Sequence, residues 1–226
     1  MNEIRKLHFL IHPGYLGDPK LCHRRNAEFG LQQARVAFAK YKTKAKRMEE
    51  NECLVAFSHI ESSELKRVIR GNDGTEKTAY ERLVADGLMA LRERLGKRFV
   101  LLSNRHEVIE LDCGKEKVVE TFAMMRRILG ARGYRFGKNT ETEAFGETLG
   151  CCVDEAADSL SRAGGFERKT TVNVSLCDLS LPDDHFSGWI AVYLSGLVQN
   201  NPRLRYVIEA NGIQHELHHD YKNDFP

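Results

Sequence analysis

The sequence predicts an α/β fold, in which a three-layer αβα arrangement surrounds a mostly parallel sheet of five or six strands. Short apolar runs alternate with amphipathic helical segments, and this alternation is typical of parallel βαβ connections. The chain has 226 residues, of which 42% are hydrophobic and 29% are charged, enough for a sizeable core. We therefore interpret residues 1–226 as a single domain with a polar C-terminal tail from about residue 212.

The first half of the chain contains three predicted strands and the helices between them. The predicted elements are a strand over 7–11, a helix over 27–50, a strand over 53–57, a helix over 61–70, a helix capped by Thr75 and ended by Gly96, and a strand over 99–102. The helix that ends at Gly96 has the clearest amphipathic pattern, because its apolar residues recur at steps of three and four. The helix over 27–50 is strongly basic in its second half, which we interpret as a solvated face.

The second half of the chain continues the alternation. Its predicted elements are a short strand over 108–111, a helix over 117–129, an extended segment from 134 to about 145, a helix over 152–160, a strand over 170–177, a helix that begins at Asp183 or Asp184, and a strand over 205–208. In parallel sheets of this kind, ligands bind beyond the carboxyl ends of the strands. Polar residues follow the apolar runs at that edge: His12, Ser58, His59, Ser103, Asn104, Asp178 and Asn211. The pattern points to a small-molecule pocket.

Composition and charge restrict the compartment and the partners. The net charge of +2 gives no reason to expect a nucleic-acid partner, and no apolar run approaches the roughly 18 residues of a membrane helix. The N-terminal apolar run stops at Ile11, so we interpret it as a strand rather than a signal peptide. The six cysteines form no CxxC pair, which favours a reduced, cytoplasmic setting. No motif calls for a cofactor, and homo-oligomers are compatible with the sequence.

The segment that begins at Gly146 carries a family resemblance. Gly146 is followed by five residues and then by Cys152-Val153, with Ala156 and Ala157 four positions further on. This pattern resembles the nucleophile turn of the isochorismatase-like hydrolases, which include nicotinamidases and related amidases. The resemblance extends over about residues 107–197. It implies a hydrolase in which Cys152 attacks a small amide or vinyl-ether substrate.

The resemblance also implies supporting residues around the thiol. Lys117, or Lys115, corresponds to the family's catalytic lysine, which would support the thiolate. The family carries an aspartate at the end of the first strand as general base, whereas this chain has His12 there and Asp18 in the loop that follows. The base would then be His12 or Asp18. Independently of the family, a helix N-terminus favours a thiolate, because its free N–H groups carry partial positive charge.

The C-terminal segment from His215 to His219 matches the HExxH pattern. On a helix this spacing places two histidines on one face, where they can bind zinc. The motif follows a predicted strand and lies close to the end of the sequence, so we favour a polar tail over a metal site formed by His215 and His219.

Three hypotheses about function follow from these patterns. The first is an isochorismatase-like hydrolase that uses Cys152. The second is a non-catalytic α/β protein that binds a ligand or another protein and retains the fold without the base. The third is a metal-dependent hydrolase that uses the C-terminal histidines. Thiol reactivity separates the first two hypotheses, and metal analysis tests the third.

Overall fold

A computed structural model describes residues 1–18, 27–60, 62–70, 77–103, 115–150, 152–179, 187–210 and 213–218. The helices are α1 (Ala27–Arg47), α2 (Ser62–Arg70), α3 (Ala79–Leu95), α4 (Lys115–Ala131), α5 (Cys152–Gly164) and α6 (Ser187–Asn200). The strands are β1 (Asn2–Glu3), β2 (Lys6–Ile11), β3 (Glu52–Ser58), β4 (Phe99–Ser103), β5 (Tyr134–Arg135), β6 (Glu141–Leu149), β7 (Thr170–Asn173), β8 (Asp178–Leu179), β9 (Leu204–Ala210) and β10 (Ile213–Glu216). The predicted strand over 108–111, and the residues Thr75, Asn104, Asp183, Asp184 and Asn211, lie outside the described residues.

The main sheet is mostly parallel, as predicted. Among the described residues, seven strands follow the order β10-β9-β7-β6-β2-β3-β4, and the short β8 pairs with β6 off this path. The pairs from β9 to β4 are all parallel, whereas β10 runs antiparallel to β9. β1 and β5 form a separate parallel pair.

The sheet has more strands than the five or six expected, because the segment assigned to a polar tail forms β10 at its edge. The four residues of β10 are all exposed. An edge strand with no buried face carries no alternation of apolar and polar residues, so its sequence resembles that of a tail.

The strand order reverses direction at β2. The chain passes from β2 outward to β3 and β4, and then returns to β6 on the other side of β2. Ile11 pairs with Phe57 of β3 on one side and with Gly146 of β6 on the other. This reversal is a topological switch point, the place where open α/β sheets ordinarily bind ligands.

Two local details differ from the sequence-based expectations. α3 begins after Thr78, whose hydroxyl accepts the amide N–H of Glu81 at 3.1 Å while the Glu81 carboxylate accepts the Thr78 amide at 2.8 Å. This reciprocal capping box satisfies two backbone donors at the helix start. The strand expected over 170–177 ends at Asn173, where the backbone continues into a 3-10 turn over Val174–Leu176.

The basic half of α1 is only partly a solvated face. Lys40, Lys44 and Arg47 reach the sheet carboxylates of Asp178, Glu143 and Glu209 at 3.5, 3.0 and 3.1 Å, respectively. Their spacing of four and three residues puts these cations on one side of the helix. They therefore attach α1 to the sheet. No helix within the described ranges combines the length and hydropathy that a membrane crossing requires.

Candidate functional site

The loop that leaves β2 is held against the end of β6. His12 directly follows β2 with a left-handed φ of 46°, and its amide donates to the Phe57 carbonyl oxygen at 2.9 Å. A 3-10 turn over Tyr15–Gly17 then leads to Asp18. The Glu147 carboxylate of β6 accepts the amides of Gly14 and Leu16, each at 2.8 Å. The loop over 12–18 is therefore fixed to the end of β6 at the switch point.

Glu147 is fully buried beneath this loop. Burial raises its pKa to about 7, although the amides of Leu16 and Gly14 favour the ionised form; the nearby Asp178 adds to the rise. The Tyr41 hydroxyl of α1 lies 3.4 Å from the same carboxylate. Glu147 thus links the loop, the strand and α1, and it changes charge near neutral pH.

Aromatic and titratable side chains cluster above the ends of β2 and β3. The His12 ring stacks on Tyr15 with centroids 5.7 Å apart, and the His59 ring meets Tyr15 edge-on at 5.4 Å. His59 Nε2 lies 3.2 Å from Asp18 Oδ2 and 2.8 Å from the Tyr80 hydroxyl oxygen. The side chains of His12, Asp18, His59 and Tyr80 are all buried. The structure therefore brings His12 and Asp18 together with His59.

Cys152 is the first residue of α5, as the spacing after Gly146 predicts. It is half-buried. It follows β6 at the carboxyl edge of the sheet. The turn before it is held by Asp154, whose carboxylate accepts the Gly150 amide and the Tyr206 hydroxyl. Burial raises the pKa of Asp154 even though both donors favour its ionised form.

Two other described cysteines provide a contrast. Cys53 and Cys177 are buried, and burial raises the pKa of Cys53 to about 12 and that of Cys177 further still. Such thiols stay protonated and behave as small apolar groups. Cys151 lies outside the described residues. Cys152 is therefore the most accessible of the three thiols that the structure describes.

Lys115 and Lys117 fall in the first turn of α4, the helix that connects β4 to the strands leading to Cys152. The sequence-based hypothesis placed its lysine at this helix. Whether either lysine supports the thiol stays a prediction.

The C-terminal motif does not adopt the geometry of a helical zinc site over the part described. His215 and Glu216 belong to β10, where successive side chains point to opposite faces of the sheet. His219 lies outside the described residues. β10 is separated from β2 by β9, β7 and β6, so His215 is remote from the loop after β2. Among the described residues, no three histidine, cysteine, aspartate or glutamate side chains are grouped to hold a metal ion.

A second buried polar cluster lies on the sheet beneath α1. His8 Nε2 is 3.2 Å from Glu52 Oε2, and His8 Nδ1 is 2.9 Å from Glu143 Oε2, although the latter two atoms are poorly aligned for a hydrogen bond. Lys6 and Lys44 each approach Glu143 Oε2 at 3.0 Å. Burial alone would raise the pKa of Glu143, but His8 and the two lysines hold it well below its ordinary range. The cluster thus places cationic side chains beside the buried carboxylate of Glu143.

Sequence reasoning missed Glu147, Tyr15 and Tyr80 as parts of the site. A carboxylate directly after Gly146, two positions from Phe145 and from Leu149, is the signal that marks Glu147. Tyr80 was assigned only to the apolar stripe of α3. Its hydroxyl partner, His59, is 21 residues away in sequence and becomes a neighbour only in the folded chain.

Comparison with protein-family models gives no match, and a search of curated proteins also finds none.

Proposed function

We propose that this protein is a cysteine-dependent hydrolase with an isochorismatase-like site, which acts on a small amide or vinyl-ether substrate through Cys152. The main support is the switch point between β2 and β6. β2 is followed by the His12–Asp18 loop, and β6 leads to Cys152 at the start of α5. Glu147 joins the two through its bonds to Gly14 and Leu16.

The three-layer αβα arrangement is part of this proposal. Lys44 and Tyr41 of α1 approach Glu143 and Glu147, which share one face of β6 by strand alternation. α5 also packs against β6. Helices on opposite faces of the sheet would leave its carboxyl edge as the accessible place for a ligand.

For an amide substrate, the Cys152 thiolate would form a bond to the carbonyl carbon and push the π electrons onto oxygen. Collapse of this adduct breaks the C–N bond, and the departing nitrogen takes a proton from the general acid. Water then attacks the thioester while the same group accepts its proton, and the carboxylic acid and the thiolate are released. Asp18 or His12 would carry the proton, and Lys117 (or Lys115) would favour the thiolate.

The experiment compares thiol alkylation with turnover in the same protein. Iodoacetamide at pH 7 should label Cys152 faster than Cys53 or Cys177, as read for each cysteine by mass spectrometry, because the latter two are buried with raised pKa values. Cys152→Ser should remove the fast phase and any release of ammonia from a panel of small amides. His12→Ala should slow hydrolysis more than alkylation.

A non-catalytic ligand-binding protein is the second candidate. The observation that favours it is the residue directly after β2, which is His12 rather than an aspartate. Slow labelling of Cys152 together with no turnover of any amide or vinyl ether would reject the hydrolase and favour this alternative. We do not propose a metal-dependent hydrolase, because His215 lies in a strand at the far edge of the sheet.

A further inference from the structure

We infer that His59 and Tyr80 are positioning residues that set the protonation state of Asp18, one of the two candidate proton carriers of the site. The inference rests on the proposed function for its catalytic meaning. The contacts that carry it are present in the fold whether or not a substrate is turned over.

One ring nitrogen of His59 has two oxygen partners. His59 Nε2 is 3.2 Å from Asp18 Oδ2 and 2.8 Å from the Tyr80 hydroxyl oxygen. When Nε2 carries a proton, it donates to the Asp18 carboxylate and is shared with Tyr80. When Nε2 is unprotonated, it can only accept the Tyr80 hydroxyl, and Asp18 loses this donor. Asp18 and Tyr80 therefore compete for the same nitrogen.

Because Asp18 and His59 are buried, the competition for Nε2 affects the stability of the ionised form of Asp18. Asp18 and His59 are 7% and 5% exposed, so an ionised Asp18 needs donors in place of water. A charged acceptor forms the stronger bond, so an ionised Asp18 favours the Nε2–H tautomer. Among the described residues, His59 Nδ1 is buried with no hydrogen-bond partner, and no neighbour there holds the tautomer from the other side of the ring. The charge of Asp18 and the tautomer of His59 are linked.

His12 lies in the same cluster. Its ring stacks on Tyr15 and lies edge-on to His59 at 6.0 Å. Asp18 ends the 3-10 turn and has a donor in His59 when Nε2 carries a proton. Among the described residues, the titratable groups in contact with His59 are His12, Tyr15 and Asp18 from the loop and Tyr80 from α3. Glu147 of β6 binds the same loop through the amides of Gly14 and Leu16.

The test measures Asp18 directly in the full chain by the 13Cγ chemical shift of its carboxyl group as a function of pH. His59→Ala removes the donor, and the midpoint of Asp18 should rise by about one pH unit, a tenfold gain in proton affinity. His59→Gln keeps an N–H near the position of Nε2 and should restore most of the shift. Tyr80→Phe removes the competitor and should leave the midpoint unchanged or lower.

The Asp18 midpoint should rise in His59→Ala but not in Tyr80→Phe, and this difference separates the positioning role from a structural one. General loosening of the cluster would raise the Asp18 midpoint in both variants. The 15N shifts of the His59 ring give a second readout: Asp18→Ala should convert Nε2 from a donor to an acceptor. An unchanged midpoint in His59→Ala, or a rise in Tyr80→Phe, would overturn the inference. Ammonia release by the wild type and Cys152→Ser reports separately on the hydrolase, so each idea can fail alone.

Discussion

The carboxylate of Glu147 accepts the backbone amide of Leu16 at 2.8 Å, which ties the loop after β2 to the strand that leads to Cys152. This contact is buried and its acceptor has a pKa of about 7, against an ordinary value of 4.5. Because folding favours the protonated carboxyl, the contribution of this group is full below pH 4.5. It is lost as the pH rises toward 7.

The first prediction concerns Glu147→Gln, which is neutral at every pH. As the pH rises from about 4.5 to 7, the wild type should lose about 3 kcal/mol of unfolding free energy relative to this variant. Urea denaturation at pH 5 and pH 8 measures the difference. Parallel changes in the two proteins would show that Glu147 does not titrate in this range.

The second prediction concerns His8, which lies between Glu52 and Glu143. His8→Leu should cost about 3 kcal/mol at pH 7, because it removes one partner from each of two buried carboxylates. Arg47→Ala is the control, since its pair with Glu209 is exposed and should be worth about 1 kcal/mol or less. Denaturant midpoints of the two variants provide the comparison.

The effect of His8→Leu should also depend on pH. Burial alone would raise the pKa of Glu52, but the hydrogen bond and charge of His8 lower it to about 2 from 4.5. A lowered carboxyl pKa contributes stability above pH 4.5, and this is lost as the pH falls toward 2. The difference in unfolding free energy between the wild type and His8→Leu should therefore become smaller as the pH falls from 4.5 toward 2. A difference that stays constant would show that His8 contributes through packing alone.

The third prediction uses two glycines. Gly146 has φ of +135°, and a Cβ there would overlap the Ile11 carbonyl oxygen of the adjacent strand. Gly146→Ala should therefore cost at least about 2 kcal/mol. Gly130→Ala, in α4 with nothing near a new Cβ, should be neutral or stabilising by up to about 1 kcal/mol. Equal melting temperatures for the two variants would contradict the close approach of β2 and β6.

The fourth prediction concerns the support of the Cys152 turn. Tyr206→Phe removes the hydroxyl that donates to buried Asp154 and should cost about 1–3 kcal/mol. Because Asp154 also binds the Gly150 amide, the alkylation rate of Cys152 should change as well. Tyr193→Phe is the comparison, since it removes a hydroxyl that donates to the Leu149 carbonyl in a half-buried setting. An unchanged alkylation rate of Cys152 in Tyr206→Phe would show that Asp154 does not influence the reactivity of the thiol.

The fifth prediction concerns the C-terminal histidines. Protein purified without a His tag should contain well under one equivalent of zinc after dialysis, because His215 and Glu216 point to opposite faces of β10. His215→Ala should leave the metal content unchanged. A stoichiometric metal that is lost in this variant would revive the metal-dependent hypothesis.

The sequence by itself determined the class of the fold and most of its elements. Apolar runs such as 7–11 and 53–57 are buried in parallel strands, and burial on both faces produces a continuous apolar pattern that can be recognised locally. The start of α5 at Cys152 was predicted from the spacing after Gly146, which is also a local feature. β10 was missed, because an exposed edge strand carries no such pattern.

Only the tertiary structure decided which polar residues meet. Glu147 and Leu16 are 131 positions apart, and Asp18 and His59 are 41 apart. Local patterns of hydrophobicity carry no information about such pairs, because strand order and register bring them together. The pairing of β2 with β3 brings Asp18 and His59 to one edge, and the reversal of strand order makes β6, the strand that leads to Cys152, the other neighbour of β2. Desolvation at that edge, which raises the pKa of Glu147, exists only once the surrounding side chains have packed.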